Sequence, residues 1–303
     1  MSIFCIGQSA YDITIPLKEP LIKNRKYRIE KCHECGGGPA FNAACLCAMW
    51  GAPVQLVSRI GADHYGEILR KILITQGVGM DYLIPDREIQ TPYSMIVAGE
   101  TDGSRTLFNV PGQKHEVVWP IPQETPDVIL TDGHEETVSL ELMHAFPQAV
   151  SMIDAGTFRD CTFAVAKEVD YLVCSEDFAR QYTGRAPDLS DWTGCQKIFR
   201  EVEQINRKHA VITMGDQGLL YREEDGTVCH LPSYKVPAVD STGAGDIFHG
   251  AFAFGLYQKM PIGKNVRQSS AAAALSVQKI GSQTSIPGRK ETECFQEHQP
   301  VQG

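Results

Sequence analysis

A glycine-rich turn in the last quarter of the chain carries the residues whose types and spacing are best suited to chemistry. The stretch VDSTGAGDIFHG, residues 239–250, predicts a strand ending at Val239, then a tight turn, then a helix of small residues. Successive backbone N–H groups at such a helix start form a concave site for an anion, and the helix dipole adds to it. Gly243 and Gly245 carry no Cβ, so the backbone can approach a phosphate.

Asp246 follows this turn directly, and its carboxylate would repel a bound phosphate. The residue is therefore predicted to act as a general base on a hydroxyl group that attacks the phosphorus. The alternative is a plain helix start with Ser, Thr and Asp as capping residues. Two other phosphate loops do not match, because Gly263-Lys264 is followed by Asn265 and Phe248 stands where a dinucleotide-binding fingerprint needs its third glycine.

The overall charge argues against two classes of binding protein. The 303 residues include 28 Lys and Arg against 37 Asp and Glu, a formal net charge of −9. A general nucleic-acid or membrane-surface binder needs a basic face, although a local cationic pocket stays compatible with this balance. The sequence contains no run of about 18 apolar residues, the length that a membrane-spanning helix needs. The first residues, MSIFCIGQSAYDITI, lack a signal-peptide pattern, which predicts a cytoplasmic protein.

The ten cysteines are scattered along the chain, which predicts reduced thiols rather than a disulfide framework. Cys32-His33-Glu34-Cys35 has the spacing of half a zinc site. A structural zinc needs four ligands, and no second pair of Cys or His residues completes them. The favoured interpretation is a loop or strand end with two free thiols.

Strands and helices that alternate along most of the chain must position these residues. Residues 3–7 and VQLVSRIG (54–61) are typical of buried strands, and a helix of small residues follows Gly36-Gly37-Gly38-Pro39. After residue 125 strands alternate with helices, which are predicted over 136–146, 160–168, 176–183, 191–208, 244–259 and 264–279. This alternation predicts an α/β fold with a mostly parallel sheet and helices on both faces. The last ten residues are polar, and we expect them to be frayed.

Two charged, hairpin-like stretches do not fit this alternation. Residues 12–35 and 91–110, the latter with a turn at Thr101-Asp102-Gly103, are predicted to form a small sheet that projects from the main one. A sheet projecting over a cleft would make a lid, and its open edges favour pairing with a second copy in a homodimer. We expect a single domain over residues 1–303 with this lid inserted in it.

The chain resembles the ribokinase-like (PfkB) carbohydrate kinases in two separate motifs. GGPAFNAA (37–44), followed by Gly51 and Gly61, is similar to the family's N-terminal sugar-binding signature, and residues 240–253 resemble its C-terminal signature. The two motifs occur in the family's order, and the pattern between them covers nearly the whole chain. The resemblance implies a ribokinase-like three-layer sandwich with a mostly parallel sheet and a small β-sheet lid. It also implies an ATP-dependent sugar kinase that uses Mg²⁺.

The resemblance implies roles for the residues that would meet the sugar and the transferred phosphoryl group. Asp246 is similar to the family's catalytic base, beside an anion hole made by Gly243, Ala244 and Gly245. The sugar hydroxyl groups would be bound by a lid aspartate and the first glycine-rich turn, which in this chain are Asp12, Gly37, Gly38 and Asn42. Asp12 as a plain turn residue and Asn42 as a helix cap are the alternatives.

The resemblance also implies how the nucleotide and a cation would be held. The nucleotide would lie on a strand and turn that contain Thr213, Gly215 and Gly218. Many members bind a monovalent cation such as K⁺, and the corresponding residues here are Asp240, the carbonyl groups of Ser276, Lys279 and Gly281, and the hydroxyl group of Ser285. Asp240 as a plain helix cap is the alternative.

One stretch departs from the family's pattern. Many members carry N-x-x-E after a central strand and hold Mg²⁺ there through water, whereas this chain has Ser175-Glu176-Asp177-Phe178. Glu176 and Asp177 are the acidic residues that remain, with Glu176 as the expected water-mediated ligand. The nucleotide phosphates are expected to supply most Mg²⁺ ligands.

The choice of sugar follows less directly from the sequence. Lys26-Tyr27 and residues 105–109 resemble the fructokinase and sulfofructose-kinase branch, in which a lid lysine and an asparagine help to bind an anionic sugar tail; Lys26 and Asn109 stand at similar places. An arginine expected after the next strand is absent, and His134 stands near its position. Without a planar cation that binds in two places, the case for an anionic substrate is weaker. A neutral ketohexose is therefore favoured over an anionic sugar, and over ribose or a nucleoside. A sugar-binding protein without catalysis is a further alternative, against which the intact turn at Asp246 argues.

Overall fold

The computed structural model describes residues 2–99, 105–113, 115–120 and 122–299. Within these ranges the chain forms a nine-stranded sheet, a four-stranded sheet and helices on both faces of the larger sheet. The strands are β1 (Ile3–Ile6), β2 (Ala10–Leu17), β3 (His33–Gly37), β4 (Val54–Gly61), β5 (Leu83–Asp86), β6 (Tyr93–Gly99), β7 (Arg105–Val110), β8 (Val128–Thr131), β9 (Val150–Ala155), β10 (Tyr171–Ser175), β11 (His209–Thr213), β12 (Leu219–Arg222) and β13 (Val228–Leu231). The helices are α1 (Pro39–Met49), α2 (His64–Gln76), α3 (Glu136–Ala145), α4 (Asp160–Ala166), α5 (Glu176–Thr183), α6 (Trp192–Glu203), α7 (Ala244–Tyr257), α8 (Ile262–Ser276) and α9 (Arg289–His298).

The larger sheet has the order β13-β12-β11-β10-β9-β8-β1-β4-β5. Its strands are parallel from β11 to β5, and β12 and β13 add an antiparallel edge. The predicted mostly parallel sheet is therefore confirmed. Because parallel strands end at one edge, the loops that follow β1, β8, β9, β10 and β11 meet there.

Two hydrophobic cores lie on opposite faces of this sheet. Ile3 and Cys5 of β1 belong to the core formed with α1, α2, α7 and α8. Phe4 and Ile6 belong to the core formed with α3, α4, α5 and α6. Alternate side chains of a strand point to opposite faces, so helix layers on both sides bury every residue of β1. Among the described residues no helix is both long enough and apolar enough to cross a membrane.

The smaller sheet combines the two stretches that the sequence set apart. Its order is β3-β2-β6-β7, with β2 and β6 parallel and the outer pairs antiparallel. The prediction of a separate small sheet is confirmed, and this element is called the small sheet below. The predicted turn at 101–103 lies outside the described residues.

Several features differ from the sequence-based expectations. The strand predicted to end at Val239 is absent, and this residue instead donates one backbone hydrogen bond of 2.7 Å to the Val277 carbonyl. The helix predicted over 191–208 ends at Glu203, because the Asn206 side chain binds the carbonyls of Val169, Asp170 and His209 and turns the chain. Helix α9 occupies part of the segment that was expected to fray, and β5 is a short edge strand that was not predicted.

Candidate active site

The glycine turn, residues 243–246, opens helix α7 as predicted. Gly243 has a left-handed conformation with φ 77°, and a Cβ there would lie 2.6 Å from the Ser282 Cβ, so this position requires glycine. A Cβ on Gly245 would meet no atom within 4 Å. The first N–H groups of a helix have no acceptor within it, and the Ala244 N–H makes only a long contact of 3.3 Å with the Ser241 carbonyl. The turn thus presents donors to open space.

Asp246 lies in the first turn of α7 and is half-buried. Its Oδ2 accepts a hydrogen bond of 2.7 Å from the Asn42 amide of α1. Burial, together with repulsion from the Asp154 carboxylate, raises the pKa of Asp246 to about 7. Asn42 is itself fully buried, and its Oδ1 has no hydrogen-bond partner in the described part of the chain. A buried acceptor without a donor is costly, so this oxygen is suited to a ligand hydroxyl group.

Asp12 of β2 reaches the same place from the small sheet. Its Oδ2 accepts a hydrogen bond of 2.9 Å from the Ser282 hydroxyl group, whose Cβ lies beside Gly243. A Cβ on Gly37 would overlap the Asp12 carboxylate, so this glycine gives the carboxylate its room. Gly38 is the N-cap of α1 next to it. The structure therefore brings the predicted sugar residues of two separate elements to the glycine turn.

Asn109 shares a face of the small sheet with Asp12. Asp12 is paired with Ser94 of β6, and Ser94 is paired with Asn109 of β7. Residues directly opposite one another in neighbouring strands point to the same face. Asn109 is exposed on that face, whereas Lys26 is exposed in the segment between β2 and β3, where the described residues show no ion pair for it. Register thus places Asn109, but not Lys26, alongside Asp12.

His134 follows β8, where the sequence has no arginine, but an arginine from a neighbouring strand lies beside it. The His134 Nδ1 lies 3.1 Å from the Asp132 carboxylate, and its Nε2 lies 3.2 Å from the Arg159 guanidinium. Arg159 is the N-cap residue of α4 and follows β9, so it arrives from the neighbouring strand. Sequence spacing alone did not reveal this meeting, since the two residues are 25 positions apart.

Asp132 joins the ends of β1 and β8 to the start of α1. Its Oδ2 accepts hydrogen bonds from the N–H groups of Gln8, at 2.8 Å, and Ala40, at 3.3 Å. Burial disfavours its ionised form, but His134 and the Gln8 N–H hold the pKa of Asp132 below its usual value. Sequence reasoning missed this carboxylate, Asp154 and Ser282. A carboxylate at the carboxyl end of a predicted parallel strand was the available signal for the first two.

The predicted nucleotide-binding residues lie at the hairpin between β11 and β12. The Thr213 hydroxyl group donates to the Cys174 carbonyl at 3.3 Å, and Gly215 begins a short 3₁₀ turn with φ 57°. Gly218 closes the hairpin with φ 93°, and a Cβ there would overlap the Leu231 carbonyl oxygen. The hairpin ends at the carboxyl edge of the sheet, where the glycine turn also lies.

Replacing Gly218 with Ala is expected to destabilise the protein strongly. The substitution adds left-handed strain of about 1–2 kcal/mol and a collision with backbone that cannot move aside. Gly226→Ala is the matched variant, because Gly226 has φ 88° but no atom within 4 Å of an added Cβ. Urea unfolding should show a loss of about 1–2 kcal/mol for Gly226→Ala and at least twice that for Gly218→Ala. Equal losses would contradict the close approach.

The predicted monovalent-cation residues surround one loop. The two Asp240 carboxylate oxygens accept hydrogen bonds of 2.9 Å from the N–H groups of Thr242 and Gly281. Asp240 therefore caps the turn and is joined to the loop, and its role as a cation ligand stays a prediction. Ser276 ends α8, the Lys279 N–H binds its carbonyl, and the buried Ser285 hydroxyl group donates to the Ser282 carbonyl. These carboxylate, carbonyl and hydroxyl oxygens are the hard ligands that K⁺ prefers.

The stretch that departs from the family pattern offers a single acidic side chain for Mg²⁺. Phe178 is fully buried in the core, and Asp177 is paired with Arg180 at 2.6 Å. Glu176 is half-buried at the first position of α5, at the carboxyl edge of the sheet. In the described ranges no group of three or more His, Cys, Asp or Glu side chains is arranged to hold a metal. This applies also to the residues around Cys32 and Cys35. Their thiols are free.

The family described as pfkB family carbohydrate kinase matches residues 1–289. The chain belongs to this family. Two curated relatives are the ribokinase of Bacillus subtilis (strain 168), 27% identical over 277 residues, and the deoxyribokinase of Salmonella typhi, 25% identical over 262 residues. The first alignment covers 85% of this chain and 86% of the relative, and the second covers 84% of each.

Solved structures show the same fold as this pfkB-family chain. The ribokinase of Thermotoga maritima has a TM-score of 0.80 at 25% identity, with 98% of this chain and 99% of that chain covered. The Arabidopsis thaliana ribokinase complexed with ribose and ATP has a TM-score of 0.82 at 20% identity, with 97% and 98% covered. The predicted family, ribokinase-like fold and carbohydrate-kinase class are confirmed, whereas the roles of individual residues stay predictions.

Proposed function

We propose that this chain transfers the γ-phosphate of ATP to a primary hydroxyl group of a small sugar. The observation that carries the proposal is the half-buried Asp246 carboxylate, held by Asn42 at 2.7 Å, beside a helix start where Gly245 faces open space. The relatives described as ribokinase and deoxyribokinase, and the Arabidopsis ribokinase complexed with ribose and ATP, support the same classes of donor and acceptor.

In this reaction Asp246 takes the proton of the sugar hydroxyl group. The hydroxyl oxygen forms a bond to the γ-phosphorus, and the bond from that phosphorus to the bridging oxygen breaks to release ADP. The N–H groups of the glycine turn stabilise the charge that gathers on the transferred group. The Asn42 amide N–H donates to Asp246, and its free Oδ1 accepts a hydrogen bond from a sugar hydroxyl group. Glu176 would hold Mg²⁺ through water, and the bound metal would neutralise part of the phosphate charge.

Asp12 and Asn109 contribute from the face of the small sheet that carries them both. Asp12 accepts a hydrogen bond of 2.9 Å from the Ser282 hydroxyl group, and a sugar hydroxyl group takes the place of that donor when the sugar binds. Closure of the small sheet over the sugar excludes water, so that ATP is spent on the sugar and not on hydrolysis. The nucleotide lies along the hairpin at Thr213, Gly215 and Gly218.

The acceptor that we propose first is a ketohexose such as fructose, with ribose as its direct competitor. The test is ADP release, measured by a coupled assay over ketohexoses, ribose, deoxyribose, nucleosides and sugar acids. The highest kcat/KM with fructose would support the proposal, and the highest value with ribose would replace it with a ribokinase. The same assay, run in K⁺ and in tetramethylammonium at equal ionic strength, tests the cation loop at Asp240.

An anionic sugar is a second candidate, favoured by one observation. Arg159 donates to the His134 ring at 3.2 Å and makes no ion pair within 4 Å in the described ranges, so its remaining donors are available at the carboxyl edge of the sheet. An arginine can bind a carboxylate or sulfonate in two places at once. If the substrate is a sugar acid, Arg159→Ala should raise its KM far more than that of fructose. Equal effects on both KM values would remove this candidate.

We also propose that the small sheet pairs with that of a second copy. Ile13, Met95 and Phe108 stand directly opposite one another on three of its strands, with Met95 38% and Phe108 47% exposed. An exposed apolar row of this kind favours a protein interface. Sedimentation should show a homodimer that Phe108→Glu converts into monomers. A wild-type monomer at micromolar concentration would contradict the pairing.

Because Asp246 must be ionised to accept a proton, kcat/KM for the sugar is expected to rise with pH. Burial and the Asp154 carboxylate raise the pKa of Asp246 to about 7, so the acid limb should lie near pH 7. A base with the usual pKa of an aspartate would be fully ionised above about pH 6, and kcat/KM would then be constant. The measurement is the pH profile of kcat/KM in a three-component buffer. A flat profile between pH 6 and 8 would contradict the raised pKa.

A further inference from the structure

His249 is a buried titratable residue that the proposed reaction does not use. It lies on α7 one turn after Gly245, and its ring faces oxygen atoms on both sides. The Nδ1 atom lies 2.6 Å from the Gly245 carbonyl and 3.1 Å from the Asp154 carboxylate, while Nε2 lies 3.3 Å from the Val173 carbonyl. One nitrogen of this ring therefore joins the backbone of the glycine turn to a carboxylate at the end of β9.

Asp154 needs such a donor because it is buried. A buried carboxylate stays ionised only when it is paired or hydrogen-bonded. Its side chain is 10% exposed, and burial, with repulsion from Asp132, raises the pKa of Asp154. Attraction by His134 and Arg159 acts in the opposite direction. With its proton on Nδ1, the tautomer that donates to the Gly245 carbonyl at 2.6 Å, His249 also presents that proton to the Asp154 carboxylate at 3.1 Å.

The contact with Gly245 bears on the geometry of the glycine turn. The Gly245 carbonyl and the Asp246 N–H belong to one planar trans peptide, in which they point in opposite directions. A carbonyl held toward His249 therefore directs the Asp246 N–H away from the ring and out of the helix start. Gly245 lies inside α7, so the helix itself also restrains this peptide, and the His249 ring adds a second contact to its carbonyl.

We propose that His249 and Asp154 are positioning residues for Asp246: His249 fixes the Gly245–Asp246 peptide and holds Asp154 as a carboxylate close to the base. This inference rests on the proposed function of Asp246. A second carboxylate nearby makes proton uptake by Asp246 more favourable, so the base is stronger near neutral pH than it would be alone. The Asn42 amide and His249 itself lower the pKa of Asp246, and the Asp12 carboxylate raises it.

Two variants and their combination test the proposal through the pH profile. Asp154→Asn removes the carboxylate and should move the acid limb of kcat/KM about one unit toward lower pH. His249→Phe removes the donor, so Asp154 takes up a proton to remain buried, which moves the limb toward lower pH. Loss of the direct attraction between His249 and Asp246 acts in the opposite direction, so the His249→Phe shift should be smaller than that of Asp154→Asn. In the His249→Phe background, Asp154→Asn should then add less than half of its effect in the wild-type protein.

The proposal also predicts a split between kinetic constants. Both variants should lower kcat at least tenfold, while the KM values for sugar and ATP stay within about twofold, because neither side chain is placed to contact a substrate. His298→Phe on the exposed part of α9 and Asp225→Asn in the β12–β13 turn are the matched controls. An unmoved acid limb in Asp154→Asn, or shifts that add fully in the double variant, would overturn the proposal.

A readout without turnover separates this inference from the proposed function. The Asp246 carboxyl carbon can be titrated by ¹³C NMR in protein labelled at aspartate, with its signal assigned by loss in Asp246→Asn. Its titration should shift toward lower pH in Asp154→Asn even if no sugar is phosphorylated, in which case only the proposed function fails. Sugar phosphorylation with an unshifted titration would overturn the inference alone. Should Asp154→Asn not fold, the same titration in Asp154→Ser, which also removes the charge, decides.

Discussion

Replacing Asp246 with Asn is expected to lower kcat by about 10³-fold, since a general base contributes on the order of 10² to 10⁴ to the rate. Asparagine has the shape of aspartate and can still meet the Asn42 side chain, which binds Asp246 at 2.7 Å in the wild-type protein. It cannot accept a proton at neutral pH. The measurement is kcat by coupled ADP release, together with the Kd values of sugar and nucleotide by calorimetry.

The binding measurements make the Asp246 prediction specific. We expect both Kd values to stay within a few-fold of wild type, because the carboxylate acts on a proton and not on the resting substrates. Asp225→Asn, in the exposed turn between β12 and β13, should leave kcat unchanged. An Asp246→Asn protein with near wild-type kcat would show that the base lies elsewhere.

The sequence predicted the helices and strands whose apolar pattern lies within one short segment. Helix α1 and strand β4 lie where their apolar patterns place them, and the two charged stretches form one small sheet. These predictions succeeded because periodicity reports burial on each face of the main sheet. The prediction of a strand ending at Val239 was wrong, because this apolar residue is exposed and makes one backbone contact with Val277 in place of sheet pairing.

The parts of the site that the sequence did not reveal are all contacts between distant positions. Ser282 binds Asp12 across 270 positions, and His249 meets the Asp154 carboxylate that ends another strand. Arg159 reaches His134 from the neighbouring β–α unit. Each of these residues is ordinary in its own segment and gains its chemistry only when parallel strands end at one edge. The glycine turn was predictable because its whole signal lies within one short stretch.

Gly245→Ala is expected to separate stability from activity sharply. A Cβ at this position meets no atom within 4 Å, and the backbone there is an ordinary helix start. The folded protein should therefore be as stable as wild type, or more stable by up to about 1 kcal/mol, because alanine favours a helix over glycine. The same methyl group would fill the space in which we place the transferred phosphoryl group. We expect kcat/KM for ATP to fall on the order of 100-fold.

Gly288→Ala is the matched control, because Gly288 also stands at a helix start, with φ −67° and no atom nearer than 4.0 Å to an added Cβ. It should share the small change in urea unfolding and keep full activity. If Gly245→Ala also keeps full activity, the open space above the turn does not take the phosphoryl group. If Gly245→Ala instead unfolds, that space is filled by the protein itself. Only loss of turnover in a stable protein matches a turn that is left open for a phosphate.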